Sequence, residues 1–213
     1  MPEHVLDTVV LRVMSFSHPD GIAILLDALA SKIARFPAEV YNSDEHTMSL
    51  EADDEELSEL ARGLRYAERQ ARALPLAAAQ RYRTWLRNAA QLATHLESGS
   101  LVITPLTVDE LLLRESLARQ YGIGRGESAC LVLVERFRAV GVFLSSDEPA
   151  CDVARTLGFQ YLTLPQVIQM WVTRVRPRLA QLDTLVAGMR AAKFGLRPAF
   201  VDELRRVVEP ERS

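Results

Sequence analysis

Hydrophobic and polar positions divide the start of the chain into two strands and two helices. The run from Val5 to Leu11 is apolar and β-branched around a single acid, Asp7, which predicts a buried strand of a parallel sheet. After a break at residues 18–21, apolar residues recur at helical spacing and predict a helix. A short second strand is predicted within residues 33–36, and Pro37 opens another short helix.

The segment from residue 44 to 98 differs in character, because β-branched residues are scarce and Ala, Leu, Glu and Arg are abundant. Acidic residues dominate its first part and arginines follow, so the pattern predicts two or three helices broken near Pro75. Acids early and arginines late suit the dipoles of solvated helices. A face that contacts RNA or a partner protein is the alternative interpretation.

Strand and helix patterns alternate in the second half of the chain. Strands are predicted at 101–104, 140–144 and near 161–162, with helices at 107–120, 129–137 and 149–157. This alternation is typical of a parallel sheet with crossover helices, so we expect an α/β fold. Residues 165–208 are predicted to be helical, with breaks around Pro177 and at 195–198.

Composition and charge narrow the class of protein. The net charge of −3 argues against a protein that coats DNA indiscriminately. Only two of the 25 basic residues are lysines, which reflects either a GC-rich genome or recognition of phosphate or carboxylate by arginine. The two cysteines lack metal-ligand spacing, and neither a signal peptide nor a membrane-spanning run is recognisable, so we expect a cytoplasmic protein without a membrane partner.

Three acids stand in apolar surroundings where strands end or a helix begins. Asp7 belongs to the first strand pattern, Asp147 follows the strand at 140–144, and Glu127 lies in the first turn of an apolar helix. Residues that follow parallel strands converge at one edge of the sheet, where grouped carboxylates repel one another unless a cation neutralises them. The three acids therefore predict a site for Mg²⁺ or Mn²⁺. Taken singly, each acid is better explained as a helix cap or a solvated turn, and only the three together favour a metal site.

Several motifs resemble those of the PIN-domain nucleases. Gly124–Cys130 is similar to the glycine- and Glu-containing start of a helix in that family, and Val142–Asp147 to its strand ending in a hydroxyl residue and an acid. Ala154–Phe159 resembles the end of the next helix, and Asp7-Thr8 the first acid and its neighbour. The resemblance is closest to a bacterial and archaeal toxin-type subgroup with a helical C-terminal extension, to which residues 165–208 are similar.

The resemblance implies a three-layer α/β/α PIN-like fold with a central parallel sheet. Its expected domain spans residues 1–164, interrupted by a helical insertion at 44–98, and the C-terminal helical extension spans 165–213. The implied activity is a metal-dependent endoribonuclease, the toxin of a toxin–antitoxin pair, with RNA as substrate. Partners expected by the same resemblance are a small antitoxin and a second copy of the chain in a homodimer.

The resemblance also implies roles for particular residues. Asp7, Glu127 and Asp147 would bind Mg²⁺ or Mn²⁺, while Thr8 and Ser145 would contact the phosphate or a metal-bound water. The family has a further acid where this chain has Ser43, and Asp44 beside it is the candidate replacement. This departure motivates an alternative function, a PIN-like module that binds or regulates a partner without catalysis. A Rossmann-type small-molecule enzyme fits the alternation but lacks a nucleotide-binding motif.

An aromatic and basic cluster lies inside the predicted insertion. Trp85 is flanked by Arg81, Arg83 and Arg87, so the ring could stack on RNA bases while the arginines contact phosphates. The alternative is that the aromatic residues form the inner face of a helical hairpin.

Overall fold

The computed structural model describes residues 2–41 and 57–209, and within them five short strands form one sheet. The strands are β1 (Glu3–Leu6), β2 (Ala34–Phe36), β3 (Leu101–Ile103), β4 (Gly141–Leu144) and β5 (Gln160–Leu162). Their order is β3-β2-β1-β4-β5, and every neighbouring pair is parallel. The expected α/β class with a parallel sheet is thus confirmed, and the arrangement is compatible with three layers.

Helices account for most of the remaining described chain. They are α1 (Thr8–Ser17), α2 (Gly21–Leu29), α3 (Glu59–Ala73), α4 (Leu76–Ala89), α5 (Gln91–Glu97), α6 (Val108–Tyr121), α7 (Arg125–Arg136), α8 (Glu148–Thr156), α9 (Leu164–Val175), α10 (Leu179–Ala191) and α11 (Pro198–Val208). A short 3-10 helix, Ala38–Val40, follows Pro37. Within the described ranges, no helix is both long and apolar enough to cross a bilayer.

Most predicted elements are present close to their expected positions. The helix predicted from Thr107 begins there with a capping box, in which the Glu110 carboxylate accepts the Thr107 N–H at 2.7 Å. The predicted break near Pro75 separates α3 from α4, and the breaks around Pro177 and at residues 195–198 separate α9, α10 and α11.

The prediction for residues 7–11 was wrong. The first strand ends at Leu6, and the β-branched residues that follow belong to α1. The N–H of Leu11 donates to the carbonyl of Asp7 at 3.1 Å, which is the first helical bond after the strand. Val10, Leu11, Val13 and Met14 are fully buried, so packing outweighs the weak preference of β-branched residues for strands.

The described residues belong to two compact units. The sheet unit comprises Met1–Arg12, Ile33–Tyr66 and Leu96–Thr163, and the helical unit comprises Val13–Lys32, Ala67–His95 and Leu164–Ser213. The sheet unit contains all five strands.

The sheet unit places the ends of β1 and β4 side by side. Leu6 is paired with Leu144, and the N–H of Asp7 donates to the Leu144 carbonyl at 2.9 Å. The chain runs from β1 outward to β2 and β3, and then returns to the other side of β1 as β4. The point between β1 and β4 is therefore where the strand order reverses, which is the usual location of a ligand site in an open parallel sheet.

Side-chain amides organise the helical unit around the turn between α1 and α2. The Asn88 side chain donates to the Phe16 carbonyl at 2.9 Å, and that of Gln91 donates to the His18 carbonyl at 2.7 Å. The oxygen of the Gln91 amide accepts the N–H of Ile22 at 2.8 Å. These bonds satisfy backbone groups that the end of one helix and the start of the next leave without helical partners.

Candidate active site

Asp7 lies at the reversal point of the strand order, directly after β1. Its side chain is almost completely buried, and both carboxylate oxygens accept hydrogen bonds. One oxygen accepts the N–H of Thr8 at 2.6 Å, and the other accepts the hydroxyl of Ser145 at 2.6 Å.

Ser145 connects Asp7 to the second acid of the site. Its hydroxyl donates to Asp7 and accepts the N–H of Asp147 at 3.0 Å. The Asp147 carboxylate accepts the N–H of Ala150 at 2.9 Å and so caps the start of α8. Asp7, Ser145 and Asp147 are therefore held together by hydrogen bonds, with Ser145 at the centre.

The environment of Asp7 favours its protonated form. The pKa of Asp7 is raised from 3.8 to about 7, chiefly because burial removes the carboxylate from water. The hydrogen bonds from Ser145 and Thr8 lower this pKa, whereas the negative charges of Glu127 and Asp147 raise it. The charges of both acids therefore act on the Asp7 carboxylate, although less strongly than its burial does.

Glu127 lies in the first turn of α7 and is half-buried. Its pKa is raised by burial and then by the charges of Asp147 and Glu59, while its own backbone N–H opposes this shift. A Cβ atom on Gly124 would lie 2.3 Å from a carboxylate oxygen of Glu127. Glycine at position 124 therefore leaves the space that this carboxylate occupies.

Two further carboxylates, Glu39 and Glu59, line a cavity together with Glu127 and Thr8. Glu39 forms a salt bridge of 2.5 Å with the buried Arg114, and Glu59 lies 3.0 Å from the guanidinium of Arg12. Sequence reasoning did not select either acid for the site. Glu59 belongs to a long acidic stretch whose members have no distinguishing pattern, and Glu39 belongs to no recognisable motif.

The donor chemistry of the site suits a hard divalent cation, because its side chains offer carboxylate and hydroxyl oxygens. The negative charges of Glu127 and Asp147 act on Asp7 in addition to its burial, and a cation would relieve this repulsion. In the part of the chain that the structure describes, no three His, Cys, Asp or Glu side chains are grouped closely enough to hold a metal ion.

Both cysteines lie beside the site and are unsuited to nucleophilic catalysis. The thiol of Cys130 donates to the Leu6 carbonyl at 3.4 Å, and that of Cys151 donates to the Ser145 carbonyl at 3.6 Å. Burial raises the pKa of Cys130, and it raises that of Cys151 to about 11. Both thiols are protonated near neutral pH, and the thiolate is the reactive form.

The predicted aromatic and basic cluster belongs to the helical unit. Trp85 is buried, and its ring stacks on Phe16 with centroids 5.7 Å apart and meets Tyr82 edge-on at 5.3 Å. This packing matches the inner-face alternative for Trp85. Arg81 lies over the Tyr82 ring, and the side chains of Arg81, Arg83 and Arg87 are exposed.

The candidate replacement for the further acid of the family falls in a part of the chain that the structure does not describe. Asp44 and Ser43 lie outside the described residues, so their relation to Asp7 and Glu127 stays a prediction.

Comparison of the chain with protein-family models, with characterised proteins and with solved structures finds no match.

Proposed function

We propose that this protein is a PIN-like, metal-dependent endoribonuclease. The observation that carries the proposal is the hydrogen-bonded arrangement of Asp7, Ser145 and Asp147 at the reversal point of the sheet. Glu127 is electrostatically coupled to both acids. The sequence motifs that resemble PIN domains lie at these same positions, which adds a second line of support.

In this proposal Asp7, Glu127 and Asp147 hold Mg²⁺ or Mn²⁺. The ion would activate a water for attack on a phosphodiester and stabilise negative charge on the departing oxygen. Ser145 keeps the carboxylate of Asp7 oriented and fixes the backbone of Asp147. Thr8 begins α1 and lines the cavity, so its hydroxyl would be the group that contacts a substrate phosphate.

The experiment is cleavage of single-stranded RNA by the purified protein, free of any copurified partner. We expect cleavage that requires Mg²⁺ or Mn²⁺, stops with a chelator, and is lost in Asp7→Asn and Asp147→Asn. Asp27→Asn, an exposed acid of α2, is the matched control and should keep full activity. RNA that stays intact with both metals across varied sequences would contradict the proposal.

A catalytically inactive binding module is the second candidate function. It is favoured by the salt bridge that holds Glu39 on Arg114, and by the two protein hydrogen bonds that already occupy the oxygens of Asp7. Calorimetry with Mn²⁺ distinguishes the two functions. A site that disappears in Asp147→Asn supports the nuclease, and the absence of binding supports the module.

The toxin assignment and its antitoxin partner are part of the same proposal. They rest on the resemblance to the toxin-type subgroup. A stable complex with the product of an adjacent short gene, accompanied by loss of RNA cleavage, would support them.

A further inference from the structure

A cavity of about 690 Å³ is lined by Glu127, one of the proposed catalytic carboxylates, and by Thr8. One wall comes from the start of α3 and another from the start of α7, with Thr8 and Glu39 between them. Ligand sites in proteins span roughly 300–1,000 Å³, so the cavity has the volume of one that holds a molecule of nucleotide size.

The cavity is lined by three acids, Glu39, Glu59 and Glu127, and by three arginines, and two of the acids are paired. Glu39 is neutralised by Arg114, and Glu59 by Arg12. Arg62 and Arg125 also line the cavity, and both are exposed. Neither guanidinium forms a salt bridge with a residue in the described ranges.

The two arginines reach the cavity from different elements. Arg62 lies in the first turn of α3, and Arg125 is the first residue of α7, two positions before Glu127. The charge of Arg125 also acts on Glu115, but the carboxylate of Glu115 is hydrogen-bonded to Arg114 at 2.5 Å. The guanidinium of Arg125 is therefore available to an anion in the cavity.

We propose that Arg62 and Arg125 bind backbone phosphates of a single-stranded RNA and so position the strand against Glu127 and Thr8. The inference rests on the proposed function and extends it, because it moves the RNA contact from the Arg81–Arg87 segment to the cavity. A guanidinium is planar and binds a phosphate through two hydrogen bonds. Two such groups on separate walls suit successive phosphates of a flexible strand, whereas a duplex is too wide to enter a cavity of this size.

The test measures RNA binding without cleavage. A short labelled single-stranded RNA is titrated with the full-length protein in the presence of a chelator, and Kd is obtained by fluorescence anisotropy at several salt concentrations. Arg62→Ala and Arg125→Ala are compared with Arg206→Ala, an exposed arginine of α11. Thermal denaturation of each variant verifies that the fold is retained.

We expect each cavity variant to raise Kd roughly tenfold, which is the factor that corresponds to a hydrogen bond to a charged group. The slope of log Kd against log salt should become shallower by about 0.7 for each phosphate that is no longer bound. Arg62→Lys and Arg125→Lys keep the charge, so they should retain the salt slope while binding more weakly than the parent protein. Arg206→Ala should bind as the parent protein does.

An unchanged Kd in both cavity variants would overturn the inference, as would an equal loss in Arg206→Ala. Binding of single-stranded DNA in preference to RNA of the same sequence would overturn the assignment to RNA. A failure of the proposed nuclease activity can be distinguished from a failure of this inference, because binding and cleavage are measured separately. RNA bound through Arg62 and Arg125 but never cleaved with metal would support the inference and contradict the proposed activity.

Discussion

At the scale of single residues, Ser145 links the two aspartates of the candidate site. Its one hydroxyl donates to the carboxylate of Asp7, which follows β1, and accepts the backbone N–H of Asp147, which follows β4. A buried carboxylate without such a donor would lose a hydrogen bond and keep the full cost of leaving water. The site is therefore a network whose members cannot be changed independently.

Asp7→Asn should stabilise the metal-free protein at pH 8. The pKa of Asp7 is about 7 in the folded state and 3.8 in the unfolded state. Between pH 3.8 and pH 7 the folded protein therefore binds one proton more than the unfolded protein. This contribution to stability is complete below about pH 4 and is lost as the pH rises through about 7. Asparagine removes the buried charge, and we expect the free energy of unfolding at pH 8 to rise by roughly 1–3 kcal/mol.

The measurement for Asp7→Asn is thermal denaturation with a chelator at pH 5 and pH 8. The parent protein should be less stable at pH 8 than at pH 5, and this difference in stability should be smaller in the variant. Asp27→Asn, on the exposed face of α2, is the control and should follow the parent. A variant less stable than the parent at pH 8 would show that the buried charge of Asp7 is already compensated.

Ser145→Ala should destabilise the fold. It removes the donor to Asp7, so the pKa of Asp7 should rise further, and it leaves the Asp147 N–H without its acceptor. We expect a loss of roughly 1–3 kcal/mol in the free energy of unfolding, measured with urea. Ser116→Ala, on the exposed side of α6, should change stability by less than about 0.5 kcal/mol. Equal stability of the two variants would rule out a structural role for the Ser145 hydroxyl.

At the scale of elements, glycine sets how closely helices approach in the helical unit. A Cβ atom on Gly188 of α10 would lie 2.0 Å from the carbonyl oxygen of Ser17 in α1. A Cβ atom on Gly21 would lie 1.8 Å from the carbonyl oxygen of Met14. A backbone carbonyl cannot rotate out of the way as the end of a side chain can. Any larger residue at these positions would therefore force the helices apart.

Gly188→Ala should therefore cost roughly 3 kcal/mol or more, although alanine favours helices more than glycine does. Gly195→Ala is the matched control, since a Cβ atom there would meet nothing within 4 Å. Circular dichroism during heating should show a lower Tm for Gly188→Ala and an unchanged Tm for Gly195→Ala. Equal Tm values would mean that α1 and α10 can separate without cost.

At the scale of the whole molecule, the exposed apolar face of α6 bears on the expected homodimer. Val108 and Leu112 are one helical turn apart and are 76% and 68% exposed. Neighbouring exposed apolar side chains are typical of interaction surfaces.

We expect light scattering to give a mass of about twice 23.8 kDa at micromolar concentration, and Leu112→Glu to halve it. Leu76→Glu, at an equally exposed leucine of α4, should leave the mass unchanged. A parent protein that is monomeric would contradict the prediction of a dimer. A dimer that persists in Leu112→Glu would place the interface elsewhere.

The sequence by itself determined the α/β class, most helix boundaries and the position of Asp147 after a strand. These features are local, because capping residues, prolines and hydrophobic periodicity act over one or two helical turns. Tertiary structure alone decided that residues 8–17 form a helix, that Trp85 is buried, and that Glu39 and Glu59 share a cavity with Glu127. Each of these depends on residues distant in sequence, and burial and ion pairing between such residues outweigh local preference.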